Sequence, residues 1–205
     1  PTTAGLVADA ERNLDIYLAD LSGATPQFRQ ITQTALGILN EAPSLSGDGS
    51  TLIFASNQNV ANPEGNQEIF RYVVATRVMT AVTSTSNGTN EMPAINHNGT
   101  RMAFVSDQRL EPGVNIVGQR QIFLHPNPAT GSGFLQISKT VGADNFNPKI
   151  SADGNRVIYQ RQDGSGQRVV LYDSISQSQQ VFTSRPNPIT GEIGQPNLSG
   201  NGTIL

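Results

Sequence analysis

The segment NEAPSLSGDGSTLIFAS, residues 40–56, contains an Asp-Gly pair at Asp48 and Gly49 that is compatible with two kinds of structure. Asp-Gly is favoured in tight hairpin turns, where the backbone needs positive φ values, and it also occurs in calcium-binding loops. An EF-hand loop requires oxygen ligands at alternate positions and a glutamate at position twelve, and the residues after Asp48 do not provide them. The pair therefore predicts a hairpin turn.

This segment is one copy of a repeat that occurs four times. The other copies are EMPAINHNGTRMAFVS (91–106), FNPKISADGNRVIYQR (146–161) and GQPNLSGNGTIL (194–205). In the three complete copies 11 positions separate the leading proline from the aromatic residue, in the pairs Pro43 and Phe54, Pro93 and Phe104, and Pro148 and Tyr159. Each copy combines an extended segment, an Asp-Gly or Asn-Gly pair and an apolar run, which together predict a β-hairpin.

Two further strand patterns accompany each hairpin. The third strands are NLDIYLADLSG (13–23), NQEIFRYV (66–73), RQIFLHP (120–126) and QRVVLYDS (167–174). The fourth strands are FRQITQT (28–34), RVMTAVTS (77–84), FLQISKT (134–140) and QQVFTS (179–184). Four strands in about 48 to 55 residues form the unit of a β-propeller blade, so we predict an all-β propeller of four-stranded antiparallel blades. Phe54, Phe104 and Tyr159 occupy identical blade positions and are predicted to pack between the sheets.

The repeat boundaries describe residues 1–205 as a single propeller domain or a propeller fragment. Blade repeats start near 41, 91, 146 and 194, and residues 1–34 form a partial blade. Because AGLVAD (4–9) aligns with MAFVSD (102–107), the chain starts in the second strand of a blade. The two ends either complete one blade of a four-bladed ring or belong to a larger ring. We expect the larger ring, since GNGTIL ends before its aromatic residue.

The repeat of proline, Ser-x-Asp-Gly, an apolar pair and an aromatic residue, followed by a strand of the type DIYLADLSG, resembles the TolB-like (WD-like) propeller repeat of bacterial proteins. VSDQRLEPGVNIVGQRQIFLH (105–125) is similar to a subtype of secreted and surface-exposed proteins. Gly47, His97, Ala152 and Gly200 stand where this family often has proline. The resemblance implies an extracytoplasmic scaffold for protein partners, although some relatives carry a peptidase domain or are sugar lyases.

Composition restricts the possible partners and compartments. The net charge is -3, from 13 basic and 16 acidic residues, which does not favour binding to nucleic acid. No apolar run approaches the roughly 18 residues needed to cross a bilayer, so no direct membrane insertion is expected. The chain has no cysteine and only 14% charged residues. Together with the family resemblance, this composition predicts residence in the periplasm, on the cell surface or outside the cell.

The residues that could carry chemistry form no recognisable catalytic or cofactor motif. A nucleophile elbow and a phosphate-binding loop are missing from the sequence, and His97 and His125 are predicted to be surface residues outside any metal-ligand pattern. We therefore predict a non-enzymatic protein with no catalytic residues, no cofactor and no metal. The alternative is a propeller-based hydrolase or polysaccharide lyase, or the accessory propeller of a peptidase. Its best candidates are Glu41 and Glu91, which precede the prolines of adjacent blades.

The loop at 107–120, DQRLEPGVNIVGQR, offers two interpretations. Asp107, Glu111 and Asn115 could bind calcium, but a solvated polar loop is the favoured interpretation. The distance from second to third strand varies between blades, being 10, 15, 18 and 10 positions, so insertions are predicted to gather on one face of the ring. This face should hold residues 57–67 and 107–120 beside the blade links at 86–91 and 140–147. A protein partner is predicted to bind there through Arg109, Leu110, Val114, Ile116 and Arg120.

Overall fold

The computed structural model describes residues 13–58, 65–113, 118–130, 132–182 and 194–203. All helices and strands assigned in these ranges are β-strands. No helix in the described residues is long and apolar enough to cross a membrane. The strands are β1 (Tyr17–Asp20), β2 (Gln27–Gln30), β3 (Asn40–Leu45), β4 (Thr51–Ser56), β5 (Glu68–Val73), β6 (Val78–Ala81), β7 (Asn90–Ile95), β8 (Met102–Ser106), β9 (Gln121–His125), β10 (Leu135–Gln136), β11 (Asp144–Ile150), β12 (Arg156–Asp163), β13 (Gly166–Asp173) and β14 (Ser178–Phe182).

The strands form three antiparallel four-stranded meanders and one two-stranded pair. Blade 1 is the pair β1-β2, blade 2 is β3-β4-β5-β6, blade 3 is β7-β8-β9-β10, and blade 4 is β11-β12-β13-β14. The first strands β3, β7 and β11 contact one another in sequence, so they line the axis around which the blades are arranged. This architecture confirms the predicted all-β propeller. The strand expected at 4–9 lies outside the described residues.

The Asp-Gly pair of the first repeat forms a turn, as predicted. The Asp48 side chain accepts hydrogen bonds from the Ser46 hydroxyl and the Ser50 backbone N–H, and these bonds lower the pKa of Asp48 to about 2. Gly49 has a φ of 72°, which glycine adopts without steric cost. The side chain at the equivalent position closes the same turn in the other copies, through Asn98, Asp153 and Asn201.

The first strand of blades 2, 3 and 4 contains a β-bulge before the repeat proline. Ala42, Met92 and Asn147 have φ values of 49°, 52° and 52°. The strand register shifts at each of these positions, so that two residues of the first strand face one residue of the second. The proline segments next to these bulges line a common cavity between the first strands.

The hydrophobic core lies between blades rather than within them. Alternate residues of β4 point in opposite directions: Phe54 packs with the residues of blade 1, and Ile53 packs with those of blade 3. Phe54 stacks on Phe70 at a ring distance of 5.7 Å, and Phe104 stacks on Phe123 at the same distance. The predicted core role of Phe54, Phe104 and Tyr159 is confirmed, because their exposed fractions are 0%, 0% and 1%.

The two histidines differ in exposure. His97 lies in an exposed turn, as predicted. The prediction that His125 is a surface residue was wrong, since its side chain is 0% exposed. The cause is the connection from β9 to β10, residues 126–134, which places the Phe134 ring 4.6 Å from the imidazole. The equivalent connections of blades 2 and 4 are short turns over 74–77 and 174–177.

Candidate functional site

A buried polar network joins each blade to the one before it. Its central side chains are Asn40, Asn90 and Asn145, each located three positions before the repeat proline and 6%, 0% and 0% exposed. Asn90 donates hydrogen bonds to the Gln67 carbonyl and to the Glu68 carboxylate, both in blade 2. The network is structural, because the side-chain amides of these asparagines donate hydrogen bonds to the preceding blade and hold the two blades together.

The partners of these asparagines also recur. The residue before the first apolar position of the third strand is Asp15, Glu68 or Gln121, and it accepts a hydrogen bond from a threonine or serine hydroxyl of its own blade. This network was not predicted from the sequence. An asparagine at the same offset from three prolines was the signal, and it went unused because polar residues near a strand end are ordinarily solvated.

Two carboxylates lie on adjacent blades at the start of the first strands. Glu41 is exposed and accepts a hydrogen bond from the Gln67 amide at 2.9 Å. Glu91 is half-buried, and Arg120 Nε lies 3.0 Å from its Oε1 atom. Burial raises the pKa of Glu91, Arg120 opposes this, and the negative charges of Asp107 and Glu41 add to it. The two carboxylates of the predicted pair therefore lie near enough to interact electrostatically, but each is bonded to its own polar neighbour, and blade 4 has Phe146 at the equivalent position.

The loop that follows β8 is bound at its beginning to the preceding blade link. The Asp107 carboxylate accepts a hydrogen bond from the Thr89 backbone N–H at 2.8 Å. Gly88 fits tightly beneath the loop, since a Cβ atom there would lie 1.9 Å from Gln108 Nε2 and 2.2 Å from Asp107 Oδ1. The contact fixes the base of the loop against residues 86–89.

The end of the same loop is bound to the following blade link. The Arg120 backbone N–H donates to the Asp144 carboxylate at 3.0 Å, and the Asn145 N–H donates to the Arg120 carbonyl at 2.8 Å. The Gly142 N–H donates to the Gln119 side chain at 3.0 Å. The two described ends of the loop are thus bound to the two blade links, which agrees with the face predicted from the loop lengths.

The predicted partner-binding residues that the structure describes occupy different environments. Arg109 is exposed, whereas Leu110 is half-buried and packs against the core between blades 2 and 3. Arg120 pairs with Glu91 and keeps about half of its side chain, 52%, exposed. Val114 and Ile116 lie outside the described residues. Arg109 and Arg120 are therefore the members that the structure places at the surface.

The calcium interpretation of this loop receives no support from the positions of its carboxylates. Asp107 bonds the link at Thr89, while Glu111 accepts a hydrogen bond from the Gln136 backbone N–H and lies 3.6 Å from Lys139 Nζ. Asn115 is outside the described residues. Within the described ranges, no three His, Asp or Glu side chains form a group that could hold a metal ion.

A cavity of about 310 Å³ lies between the first strands of blades 2, 3 and 4. Its walls are the bulge and proline segments at 42–44, 92–95 and 147–150, with Asn197 and Leu198 of the fourth copy. Lys149 is its charged lining residue. The cavity is shallow and polar in part, and it is shaped mainly by backbone, so it positions no set of converging catalytic side chains.

The opposite face of the ring is formed by the turns between first and second strands. Backbone hydrogen bonds link these turns in series, from Asp48 N–H to the His97 carbonyl, from His97 N–H to Ala152, and from Ala152 N–H to Gly200, at 2.9, 3.1 and 2.7 Å. This face also carries the long connection at 126–134, which is an exception to the prediction that insertions gather on the other face.

The blades, the repeated turns and the blade-to-blade network define a β-propeller repeat protein. The family model of the TolB beta propeller domain matches residues 6–205. The chain belongs to the TolB β-propeller domain family, which confirms the resemblance inferred from its repeats. No curated protein matches the chain.

Solved structures of similar fold cover several activities. TolB from Acinetobacter baumannii is 23% identical with a TM-score of 0.59, over 95% of this chain and 45% of that protein. A putative TolB from Agrobacterium tumefaciens is 21% identical with a TM-score of 0.59, over 82% and 56%. An oligogalacturonate lyase in complex with manganese is 13% identical with a TM-score of 0.58, over 78% and 46%. The chain spans about half the length of these proteins, and identities this low show the fold alone.

Proposed function

We propose that this chain is a non-enzymatic β-propeller scaffold that binds a protein partner on the face formed by the blade links and the 107–120 loop. The observation that carries the proposal is the attachment of this loop at both ends, to Thr89 through Asp107 and to Asp144 through the Arg120 backbone. A loop held in this way on rigid blades presents its exposed residues at a low entropic cost of binding. Arg109, Arg120 and Glu41 then provide polar and charged contacts around the same face.

The proposed setting is extracytoplasmic, in a propeller larger than the four repeats present in this chain. The polar, cysteine-free composition and the membership in the TolB propeller family support this location. The coverage of 45% and 56% of the two TolB structures supports a larger ring.

The experiment compares partner capture by two loop variants. Because Leu110 and Glu111 contact blade 3, the replacement should spare them and change Val114–Val117 to Gly-Ser-Gly-Ser together with Arg109→Ala. The matched control changes the turn at 174–177 of blade 4, on the opposite face, to the same tetrapeptide. Crosslinking in extracts of the source cell should recover a partner with the wild type and the control, and at least tenfold less with the 114–117 variant. Equal recovery with all three proteins would refute the proposed face.

A second candidate is a propeller-based hydrolase or polysaccharide lyase, and the electrostatic interaction between the carboxylates of Glu41 and Glu91 on adjacent blades favours it. The raised pKa of Glu91 suits a carboxyl group that exchanges a proton with a substrate. Turnover should be measured with and without divalent metal on acidic polysaccharides and peptides, using wild type, Glu41→Ala and Glu91→Ala. Turnover by the wild type that both variants lose would replace the scaffold proposal with this one. Association with a peptidase would be seen as a peptidase among the captured partners.

A further inference from the structure

His125 occupies an apolar position at the interface of blades 2 and 3. It is the last residue of β9, pairs with Met102 of β8 and is 0% exposed. Neither imidazole nitrogen has a hydrogen-bond partner. Phe134 covers the ring at 4.6 Å and also contacts Phe104 at 5.7 Å. A titratable group therefore sits inside an aromatic cluster that offers it no acceptor.

The same position differs in the neighbouring blades. Tyr72 and Tyr172 stand three residues after Ile69 and Val169, as His125 stands three residues after Ile122. Blades 2 and 4 close the following connection with short turns, and only blade 3, among the three four-stranded blades described, has the longer connection at 126–134. At the end of this connection the Phe134 ring packs against the His125 imidazole. The histidine and the phenylalanine that covers it thus occur together in blade 3 and are both missing from the equivalent positions of blades 2 and 4 as described.

The elements packed around His125 bring no counter-charge to it. Arg101 directly precedes β8 and is next to Met102 in the chain, but its guanidinium is bound to the Gly154 carbonyl and the Asn155 side chain of blade 4. Beside β10, the Glu111 carboxylate accepts a hydrogen bond from the Gln136 backbone N–H and forms an ion pair with Lys139. The blade 2 residues of this interface are apolar: Ile53, Ala55, Ile69 and Val82. Burial by itself lowers the pKa of His125 to about 4.

We propose that His125 is an acid-sensitive latch, and that its protonation lifts Phe134 from the aromatic cluster and releases the adjoining strand β10 from β9. An imidazolium without an acceptor must reach water, because a buried unpaired charge is strongly unfavourable. The segment that can expose it most easily ends in β10, which has two residues and pairs with β9 alone. The rest of blade 3 stays in place, since β7, β8 and β9 are buried throughout most of their length.

The direction of the pH effect follows from the pKa difference between the two states. His125 has its ordinary pKa of 6.5 when the connection is open and about 4 when it is closed. The closed state is therefore fully favoured above pH 6.5 and loses stability as the pH falls toward 4. With these values, the opening equilibrium rises about 30-fold between pH 8 and pH 5.

Opening has a second consequence if the proposed partner-binding face is correct. Glu111 bonds the Gln136 backbone N–H of β10, so release of β10 also frees the segment next to Leu110. Acidification would then loosen the 107–113 part of the binding loop. This step rests on the proposed function, while the latch itself does not.

The latch is tested by hydrogen exchange followed by mass spectrometry, with rates corrected for intrinsic exchange at each pH. Peptides spanning 126–137 should show an opening equilibrium about 30-fold higher at pH 5 than at pH 8. Peptides from the equivalent turn of blade 4, residues 174–181, should not change. His125→Tyr and His125→Phe should abolish the pH dependence at 126–137, whereas His97→Gln should retain it. A response that persists in His125→Phe, or a flat profile in the wild type, would overturn the proposal.

A measurement on the folded protein covers the case in which the His125 variants fail to fold. The chain has two histidines, so His97→Gln leaves a single imidazole for nuclear magnetic resonance titration. A resonance that titrates well below pH 6.5, together with exchange broadening confined to 126–137, supports the latch. A His125 resonance that titrates at 6.5 overturns it.

Discussion

Replacing Asn90 by alanine removes the side chain that couples blade 3 to blade 2. Its amide donates to the Gln67 carbonyl, to Glu68 Oε2 and to the Thr85 hydroxyl, at 3.2, 3.0 and 3.0 Å. A neutral buried hydrogen bond contributes about 1 kcal/mol, and one to a charged group about 1.5–3 kcal/mol. Because Glu68 is 1% exposed, water does not replace the lost donor. We expect the free energy of unfolding to fall by about 3 kcal/mol.

The assay is urea unfolding followed by circular dichroism at pH 7.5, with thermal melting as a second readout. A loss of about 3 kcal/mol corresponds to a Tm that is roughly 6–12 °C lower for a chain of this size. Asn145→Ala is the matched control. Its amide donates to the Arg120 carbonyl and to Gln121 Oε1, which is neutral, so we expect a smaller loss of about 1.5 kcal/mol. The reasoning is refuted if Asn90→Ala costs less than Asn145→Ala, or less than about 1 kcal/mol.

Three further changes probe the turns and the core. Gly154→Ala should lower the free energy of unfolding in urea by more than about 1.5 kcal/mol, because φ is +76° and the new Cβ would lie 2.6 Å from Arg101 Cδ. Gly164→Ala is the control: a Cβ there would have nothing within 4 Å, so the free energy of unfolding should change by less than about 0.5 kcal/mol. Asp48→Asn should preserve the turn but remove its acid sensitivity. In the wild type the carboxylate stabilises the fold above its ordinary pKa of 3.8 and loses this effect as the pH falls to about 2. Melting curves between pH 5 and pH 2 should therefore show a falling Tm for the wild type and a smaller fall for the variant. Phe54→Ala should cost about 3–5 kcal/mol in urea unfolding, since the ring is fully buried against Phe70, and a loss below 2 kcal/mol would contradict its core role.

The candidate site was predictable to the extent that it depends on where loops leave the blades. Alternation of strands determines which connections share a face, so the position of the 107–120 loop between two blade links followed from counting residues. Which side chains of that loop are buried and which are exposed could not be predicted in this way. Leu110 packs against the core and Arg120 pairs with Glu91, because neighbouring blades supply contacts that are distant in the sequence.

The sequence by itself determined the blade. The period of the repeat, the Asp-Gly and Asn-Gly turns and the alternating apolar residues are local features, and each acts through φ preferences or strand propensity within a few residues. Tertiary structure decided what happens between blades, where residues about 50 positions apart meet. The burial of His125 beneath Phe134 and the use of Asn40, Asn90 and Asn145 as blade connectors both arise there. A polar side chain is solvated or buried according to the surface that covers it, and in a propeller that surface belongs to another blade or another connection.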